Sequence, residues 1–185
     1  MTQQVLVAVA DGIEDIETVT LIDVLRRAEL DVCVASVGPK RQLTCARGTR
    51  LTADAMLAEI KAQSFTAVLL PGGLPGAEHL ADSDELAAVV QAQAARGELF
   101  GAICAAPALA LQRFGVLKSR QVTCYPSFAE RLSDCAYVDQ PVVEDGPCIT
   151  SQGPATAMAF ALAVVARLCG AEKAEQIAKA MLYRP

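Results

Sequence analysis

The sequence predicts an α/β fold in which a mostly parallel sheet is covered by helices on both faces. The chain has 185 residues, a length that predicts a single domain over residues 1–185. Its residues are 53% hydrophobic and its mean hydropathy is positive, which excludes disorder. Apolar runs of strand length, such as Val5–Ala10 and Leu99–Ile103, alternate with helical segments. Strands that are apolar along their whole length are typical of parallel sheets, since both faces of such sheets are buried.

Each element follows from a local pattern. Continuous apolar runs predict strands, Gly97 ends a helix capped by Asp82 or Ser83, and Pro154 is suited to the first turn of another. The strands are predicted at Val5–Ala10, Val32–Val37, Ala67–Leu70 and Leu99–Ile103, with a hairpin over 41–52 around Arg47-Gly48 and short strands over 121–150. The helices are predicted at about 15–28, 54–62, 83–96, 106–113, 154–166 and 171–182.

Composition and charge exclude several classes of partner. The net charge of −5 argues against nucleic acid, and no apolar stretch reaches the ~18 residues that a membrane span needs. The start, Met1-Thr2-Gln3-Gln4, lacks the basic region of a signal peptide, so we expect a cytoplasmic protein with reduced thiols. Seven cysteines are present without a C-x-x-C pair, so the sequence suggests neither a zinc site nor a thioredoxin-type motif.

Cys104 is the leading candidate for chemistry. It ends the strand Leu99–Ile103 and precedes a helix, which places its sulfur in a tight turn at the carboxyl edge of the sheet. The N–H groups of the helix start favour a thiolate over a thiol. The alternative is a buried structural cysteine that packs as a small hydrophobe.

Glu17 is the second candidate. It shares a helix face with Leu21, Val24 and Ala28, so its carboxyl group should be at least partly buried and its pKa raised. Such an acid can donate a hydrogen bond to a thiolate or relay a proton. The alternative is a first-turn acid that the helix dipole favours, and this is the interpretation preferred for Glu14 and Asp15.

The remaining polar features carry weaker signals. The glycine-rich turn Pro71–Gly76 lacks a nucleotide-binding pattern, but glycines would let backbone N–H groups approach a reacting oxygen. His79, the one histidine, is predicted to have a surface or capping role. Arg27 and Arg47 are ordinary surface charges or anion-binding residues.

Four motifs in order resemble the ThiJ/PfpI superfamily, in the branch of Parkinson disease protein seven and the protein deglycases. They are Glu14–Val19, Pro71-Gly72-Gly73, Ala102–Pro107 and Thr150–Pro154. The resemblance implies a flavodoxin-like three-layer sandwich that forms a homodimer, and it implies that Cys104 is a nucleophile and oxidation-sensitive thiol hydrogen-bonded by Glu17. It further implies that Gly73 and Ala105 form an oxyanion pocket, that Gly72 and Pro154 lie at that pocket, and that Arg27 and, from the partner subunit, Arg47 form an anion site beside it.

The chain departs from the superfamily at two positions. Several branches have histidine directly after the nucleophile, where this chain has Ala105, and the human relative has a histidine in the segment where this chain has Tyr125. Because tyrosine is not a base at neutral pH, catalysis would depend on Glu17 as proton carrier. Cys124, beside the pocket, is either a resolving thiol or a packed core residue.

Two functions follow from these expectations. The first is a cofactor-independent glyoxalase III or protein deglycase, in which Cys104 forms a hemithioacetal with a methylglyoxal-type dicarbonyl or its early protein adduct. The second is a non-enzymatic redox sensor or stress chaperone that responds through oxidation of Cys104. A catalytically silent structural dimer is a third alternative.

Overall fold

The computed structural model describes residues 4–184, so Met1-Thr2-Gln3, on which the signal-peptide expectation rests, lies outside the described residues. The strands are β1 Gln4–Val9, β2 Asp31–Ser36, β3 Gln42–Thr44, β4 Arg50–Thr52, β5 Ala55–Met56, β6 Ala67–Leu70, β7 Leu99–Ile103, β8 Gln121–Val122, β9 Ala136–Tyr137, β10 Val142–Asp145 and β11 Cys148–Ser151. The α-helices are α1 Asp15–Arg27, α2 Leu57–Ile60, α3 Gly76–Ala81, α4 Asp84–Ala95, α5 Ala157–Cys169 and α6 Ala171–Ala180.

A seven-stranded sheet forms the centre of the molecule, in the order β10-β11-β7-β6-β1-β2-β5. Every pairing in it is parallel except that of β10 with β11. The strands β1, β6 and β7 are buried along nearly their whole length, as their continuous apolar sequences predict. The predicted α/β class with a mostly parallel central sheet is therefore confirmed.

Helices pack on the sheet in two groups. Helices α1 and α5 contact each other and the strands β1, β2, β10 and β11, whereas α4 contacts α2, α3 and the strands β6 and β7. Their inward side chains join one continuous core with the sheet, in which Phe100, Phe160 and Leu6 are among the largest fully buried side chains. No helix within residues 4–184 has the length and apolar character of a membrane span.

Some predicted elements differ from the observed ones. The predicted helix at 54–62 shrinks to α2, because β5 takes its first residues into the sheet beside β2. The segment predicted as a helix over 106–113 contains a π-helix at Pro107–Leu111. The last helix ends at Ala180 rather than 182, and α3 follows the glycine-rich turn where no helix was predicted. Short helices carry too few periodic positions to be recognised from sequence.

The carboxyl ends of the central parallel strands place three loops side by side. The loop after β1 leads into α1, the turn Pro71–Pro75 follows β6, and Cys104 follows β7. Because β1, β6 and β7 are consecutive neighbours in the sheet, these loops meet at one edge. This edge is where a ligand site of an open α/β sheet is expected.

Candidate active site

Cys104 occupies a constrained turn directly after β7. Its φ of 64° lies in the left-handed region, which costs a non-glycine residue about 1 kcal/mol or more. Its N–H donates to the carbonyl oxygen of Ser151 at 3.0 Å, and its own carbonyl oxygen accepts from the N–H of Tyr125 at 2.8 Å. The tight turn predicted from sequence is confirmed, and the two hydrogen bonds hold it.

Glu17 lies beneath this turn and is fully buried. Its Oε2 accepts a hydrogen bond from the N–H of Gly72 at 2.7 Å, while Oε1 is buried with no hydrogen-bond partner among the described residues. Burial is the largest effect on this carboxyl group, and with the nearby charge of Glu14 it raises the pKa of Glu17 from 4.5 to about 7. The predicted buried acid with a raised pKa is confirmed.

The Cys104 sulfur interacts with Glu17 and with two backbone donors. The side chain of Glu17 and the N–H groups of Gly73 and Ala105 all act on the pKa of the sulfur. Burial, followed by the charge of the Glu17 carboxylate, raises the pKa of the Cys104 thiol to about 12, against the opposing effect of the two N–H groups. The two N–H groups lower the pKa of the thiol, as predicted, but desolvation and Glu17 outweigh them, so the expected ionised sulfur is not favoured at neutral pH.

The two side chains therefore titrate as a pair. Between a pH of about 7 and about 12 the pair holds one proton. The sulfur is ionised at neutral pH only when that proton lies on Glu17, whose unpartnered Oε1 can carry it. Each thiolate is thus accompanied by a neutral acid that can return the proton.

Glycine at positions 72 and 73 allows this close packing. A Cβ atom on Gly72 would lie 2.5 Å from the Cβ of Cys104 and 3.0 Å from Oε2 of Glu17. Gly73 has a φ of 88°, and a Cβ atom there would lie 2.3 Å from the backbone nitrogen of Glu14. A side chain at Gly72 would separate the turn from Cys104 and Glu17, and one at Gly73 would separate it from the loop before α1.

A cavity of about 450 Å³ opens above the sulfur. Its lining combines one carboxylate and one guanidinium with apolar and aromatic side chains. The lining residues are Glu14, Ala46, Arg47, Gly73, Leu74, Cys104, Ala105, Tyr125, Phe128 and Pro154. A larger cleft of about 730 Å³ between α5 and α6, lined by residues such as Leu162 and Ala178, contains no cysteine, so the Cys104 cavity is the candidate for thiol chemistry.

Most of the residues expected at the site lie there. Arg47, Gly73, Ala105, Tyr125 and Pro154 line the cavity with Cys104, and Glu17 and Gly72 lie behind the sulfur. Their predicted roles stay predictions. Sequence reasoning missed four lining residues, namely Glu14, Ala46, Leu74 and Phe128.

The two arginines differ in their relation to the cavity. Arg47 lines the cavity of its own chain, and a contribution of Arg47 from a partner subunit stays a prediction. Arg27 is not among the residues that line the cavity; it lies in the last turn of α1, where its Nε pairs with Asp23 at 2.6 Å. Helix α1 places Glu17 near one end and Arg27 at the other, ten residues away.

Glu14 has a double role that its sequence position concealed. As the N-cap of α1 it accepts a hydrogen bond from the N–H of Glu17 at 2.8 Å, as the first-turn interpretation implies. The same residue also lines the cavity. The sequence signal that could have indicated this second role is the short separation between Glu14 and Glu17.

Three further side chains are located by the structure. His79 lies in a separate cleft and its Nδ1 contacts the carbonyl oxygen of Asp11 at 2.8 Å, in agreement with a surface or capping role. Cys124 is fully buried and its thiol donates to the carbonyl oxygen of Tyr125 at 3.4 Å, which favours a packed residue. Among residues 4–184 no group of histidine, cysteine and acidic side chains is arranged to hold a metal ion.

Replacing Glu17 with glutamine is expected to change how stability depends on pH. Because the pKa of Glu17 is raised in the folded chain, its stabilising protonation is fully present below about pH 4.5 and is lost as the pH rises through about 7. The free energy of unfolding of the wild type should therefore fall, relative to that of Glu17→Gln, by about 1–3 kcal/mol between about pH 4.5 and about pH 8. Urea unfolding at both pH values measures it.

A matched control is Glu130→Gln, since Glu130 is exposed to water in the folded chain as well as in the unfolded one. This variant should follow the wild type at both pH values. If the free energies of unfolding of the wild type and Glu17→Gln changed equally with pH, burial would not raise the pKa of Glu17.

Comparison with known proteins identifies the family of the chain. Residues 3–167 match the model of the DJ-1/PfpI family. Protein DJ-1 homolog B of Arabidopsis thaliana is 42% identical over 181 residues, which are 98% of this chain and 41% of that protein. This chain spans less than half the length of the Arabidopsis relatives that it matches.

Two other relatives are similar over most of their length. The Caenorhabditis elegans protein named glutathione-independent glyoxalase DJR-1.2 is 36% identical over 168 residues, or 90% of this chain and 88% of that protein. The solved structure of oxidized Toxoplasma gondii DJ-1 superposes with a TM-score of 0.97 at 36% identity and covers all of both chains. The resemblance drawn from the four sequence motifs is confirmed, and the chain belongs to the DJ-1/PfpI family.

Proposed function

We propose that this protein is a cofactor-independent glyoxalase III or protein deglycase that converts methylglyoxal-type dicarbonyls, or their early protein adducts, into hydroxy acids. One observation carries the proposal: a buried acid with a pKa of about 7 interacts with a thiol at the base of a small cavity. An acid with that pKa both accepts and donates protons at neutral pH. The name of the Caenorhabditis elegans relative supports the same reaction class.

The first step joins the sulfur to the aldehyde carbon of methylglyoxal. As the Cys104 sulfur bonds to that carbon, the thiol proton passes through Glu17 to the new hydroxyl group, which completes a hemithioacetal. The N–H groups of Gly73 and Ala105 lie beside the sulfur, where they can stabilise the negative charge that develops on the oxygen.

The second step moves a proton from one carbon to the next. The Glu17 carboxylate removes the hydrogen of the aldehyde carbon to form an enediol, and then returns a proton to the neighbouring carbon. One carbon is oxidised and the other reduced, so no external oxidant is required. The resulting lactoyl thioester is hydrolysed by water, which releases lactate and restores the thiol.

The surrounding chain explains why Glu17 would act alone. His79 is the one histidine and lies in another cleft, and Tyr125 brings a phenol rather than an imidazole to the cavity. The chain therefore has no imidazole at the sulfur, and the proton transfers fall to the acid that contacts it.

A second candidate function is a redox sensor or stress chaperone that responds through oxidation of Cys104. The N–H groups of Gly73 and Ala105 surround the sulfur, and a protonated Glu17 adds a third donor. Sulfinate oxygens would find hydrogen bonds there that other cysteines of the chain lack. The oxidized state named for the Toxoplasma gondii structure is consistent with this chemistry.

We further propose that the protein acts as a homodimer. Ile16 and Val19 lie three residues apart on α1, and their side chains are 57% and 48% exposed. Such neighbours on one helix face form an apolar patch that a second copy could cover. The cytoplasmic location expected from sequence stays a prediction.

Purified protein is expected to convert methylglyoxal to lactate, measured with enzymes specific for each lactate enantiomer. Cys104→Ala should abolish turnover, and Glu17→Gln should lower kcat by about 10²–10⁴-fold because the proton carrier is lost. Cys33→Ala, which removes a cysteine on β2, is the control and should keep full activity. Turnover that survives Cys104→Ala would rule out the proposed nucleophile.

Peroxide treatment tests the sensor function separately. We expect the wild type to gain the mass of two oxygen atoms, located at Cys104 by peptide mapping, before any other cysteine is modified. Glu17→Gln should slow this gain several-fold, because the carboxylate that accepts the thiol proton during the reaction is lost. Equal oxidation of all seven cysteines would contradict a sensor built on Cys104.

Sedimentation velocity tests the assembly. The wild type should sediment as a dimer, and the double variant Ile16→Asp, Val19→Asp should sediment as a monomer because charge opposes burial of that helix face. The control is Leu182→Asp, which changes an exposed leucine outside α1 and should remain dimeric. A wild type that is monomeric at micromolar concentration would refute the dimer.

A further inference from the structure

The turn that carries Arg47 is not part of the main sheet. Strands β3 and β4 pair only with each other among the described strands, over three residues each, and the turn between them spans residues 45–49. A hairpin of this length is not stable alone. Contacts with the rest of the molecule must therefore decide where Arg47 lies.

Asp15, the first residue of α1, provides two of those contacts through its side chain. Its Oδ2 accepts a hydrogen bond from the N–H of Arg47 at 2.8 Å, and its Oδ1 accepts one from the N–H of Thr49 at 3.1 Å. Both oxygens of one carboxylate thus hold the backbone of one turn. Although burial acts to raise it, these hydrogen bonds lower the pKa of Asp15 below its ordinary value, so the carboxylate stays ionised near neutral pH.

Backbone hydrogen bonds complete the attachment. The N–H of Ala46 donates to the carbonyl oxygen of Ile13 at 2.7 Å, and the N–H of Gly12 donates to that of Thr44 at 2.8 Å. The turn is therefore fixed to the loop that ends at Glu14 and leads into α1, the helix of Glu17. Asp15 supplies the side-chain part of this attachment next to Arg47, although Asp15 does not itself line the cavity.

The guanidinium of Arg47 is left for other interactions. Within the described part of the chain, no carboxylate forms an ion pair with it, whereas other arginines such as Arg26 and Arg27 are paired. Arg47 is also the one cationic side chain among the cavity-lining residues. Its charge is available to whatever approaches the sulfur.

We infer that Asp15 is a positioning residue: by holding the Arg47–Thr49 backbone against the start of α1, it keeps the Arg47 guanidinium at the Cys104 cavity. The consequence is a preference of the Cys104 sulfur for electrophiles that carry a negative charge, such as a reactive carbonyl bearing a carboxylate. The inference deepens the proposed function, but it concerns only the charge presented to the sulfur.

The test compares two alkylating reagents of similar size, the anionic iodoacetate and the neutral iodoacetamide. The measured quantity is the ratio of their rates at Cys104, followed by peptide mass spectrometry. Arg47→Gln should lower this ratio about three- to tenfold, since one nearby cation is lost. Turnover is not needed, so a failure of the glyoxalase proposal would leave this measurement intact.

Asp15→Ala distinguishes a through-space effect of the Asp15 charge from positioning of Arg47, because the two change the ratio of iodoacetate to iodoacetamide rates in opposite directions. The variant removes a negative charge, which through space alone would raise the iodoacetate ratio. If Asp15 positions Arg47, the ratio falls instead toward the Arg47→Gln value, while the iodoacetamide rate stays within about twofold of wild type. The double variant Asp15→Ala, Arg47→Gln should then have the same ratio as Arg47→Gln alone, because both substitutions remove the same effect of the Arg47 guanidinium.

Two further variants complete the comparison. Asp23→Ala removes the same charge from an exposed position of α1 and should not lower the ratio. Asp15→Asn keeps one acceptor oxygen and should give an intermediate ratio, which also decides the question if Asp15→Ala does not fold. A ratio for the Asp15 variants equal to or above that of the wild type would overturn the inference.

Discussion

The contact between the buried Glu17 carboxyl group and the Cys104 sulfur is the interaction on which the rest of the site depends. It exists because Gly72 has no side chain: its N–H donates to Glu17 and its Cα leaves room for the Cβ of Cys104. Burial raises the pKa of both groups, so neither would ionise usefully alone. Together they hold one proton between a pH of about 7 and about 12, so any thiolate at neutral pH has a protonated Glu17 beside it.

The parallel sheet makes this contact possible. Glu17, Gly72 and Cys104 come from three separate segments of the chain, which follow the adjacent strands β1, β6 and β7. Cys104 has a left-handed backbone conformation, and its hydrogen bonds to Ser151 and Tyr125 resist relaxation of that turn. The strain is retained because β7 fixes the chain before the turn and the two hydrogen bonds fix the cysteine itself.

The charges around the cavity have separate supports. Glu14 is fixed as the cap of α1, Arg47 lies on a hairpin attached to the same loop, and Asp15 joins the two. Sequence patterns describe Glu14 and Asp15 simply as first-turn acids, yet both act on the cavity. Glu14 lines it, and Asp15 holds its arginine. Charge near the sulfur is therefore a property of tertiary contacts, and neither helix propensity nor capping preference reveals it.

The sequence by itself determined the α/β class, the turn at Cys104 and the burial of Glu17. Each is encoded locally: in the continuous apolar strands, in a strand that stops at cysteine before small residues, and in the spacing of Glu17 with Leu21 and Val24. The tertiary structure alone decided the protonation balance of the pair, because desolvation depends on every segment packed around it. It also decided that Arg47 of the same chain lines the cavity and Arg27 does not, since the attachment of a hairpin to a distant loop leaves no periodic signal in the sequence.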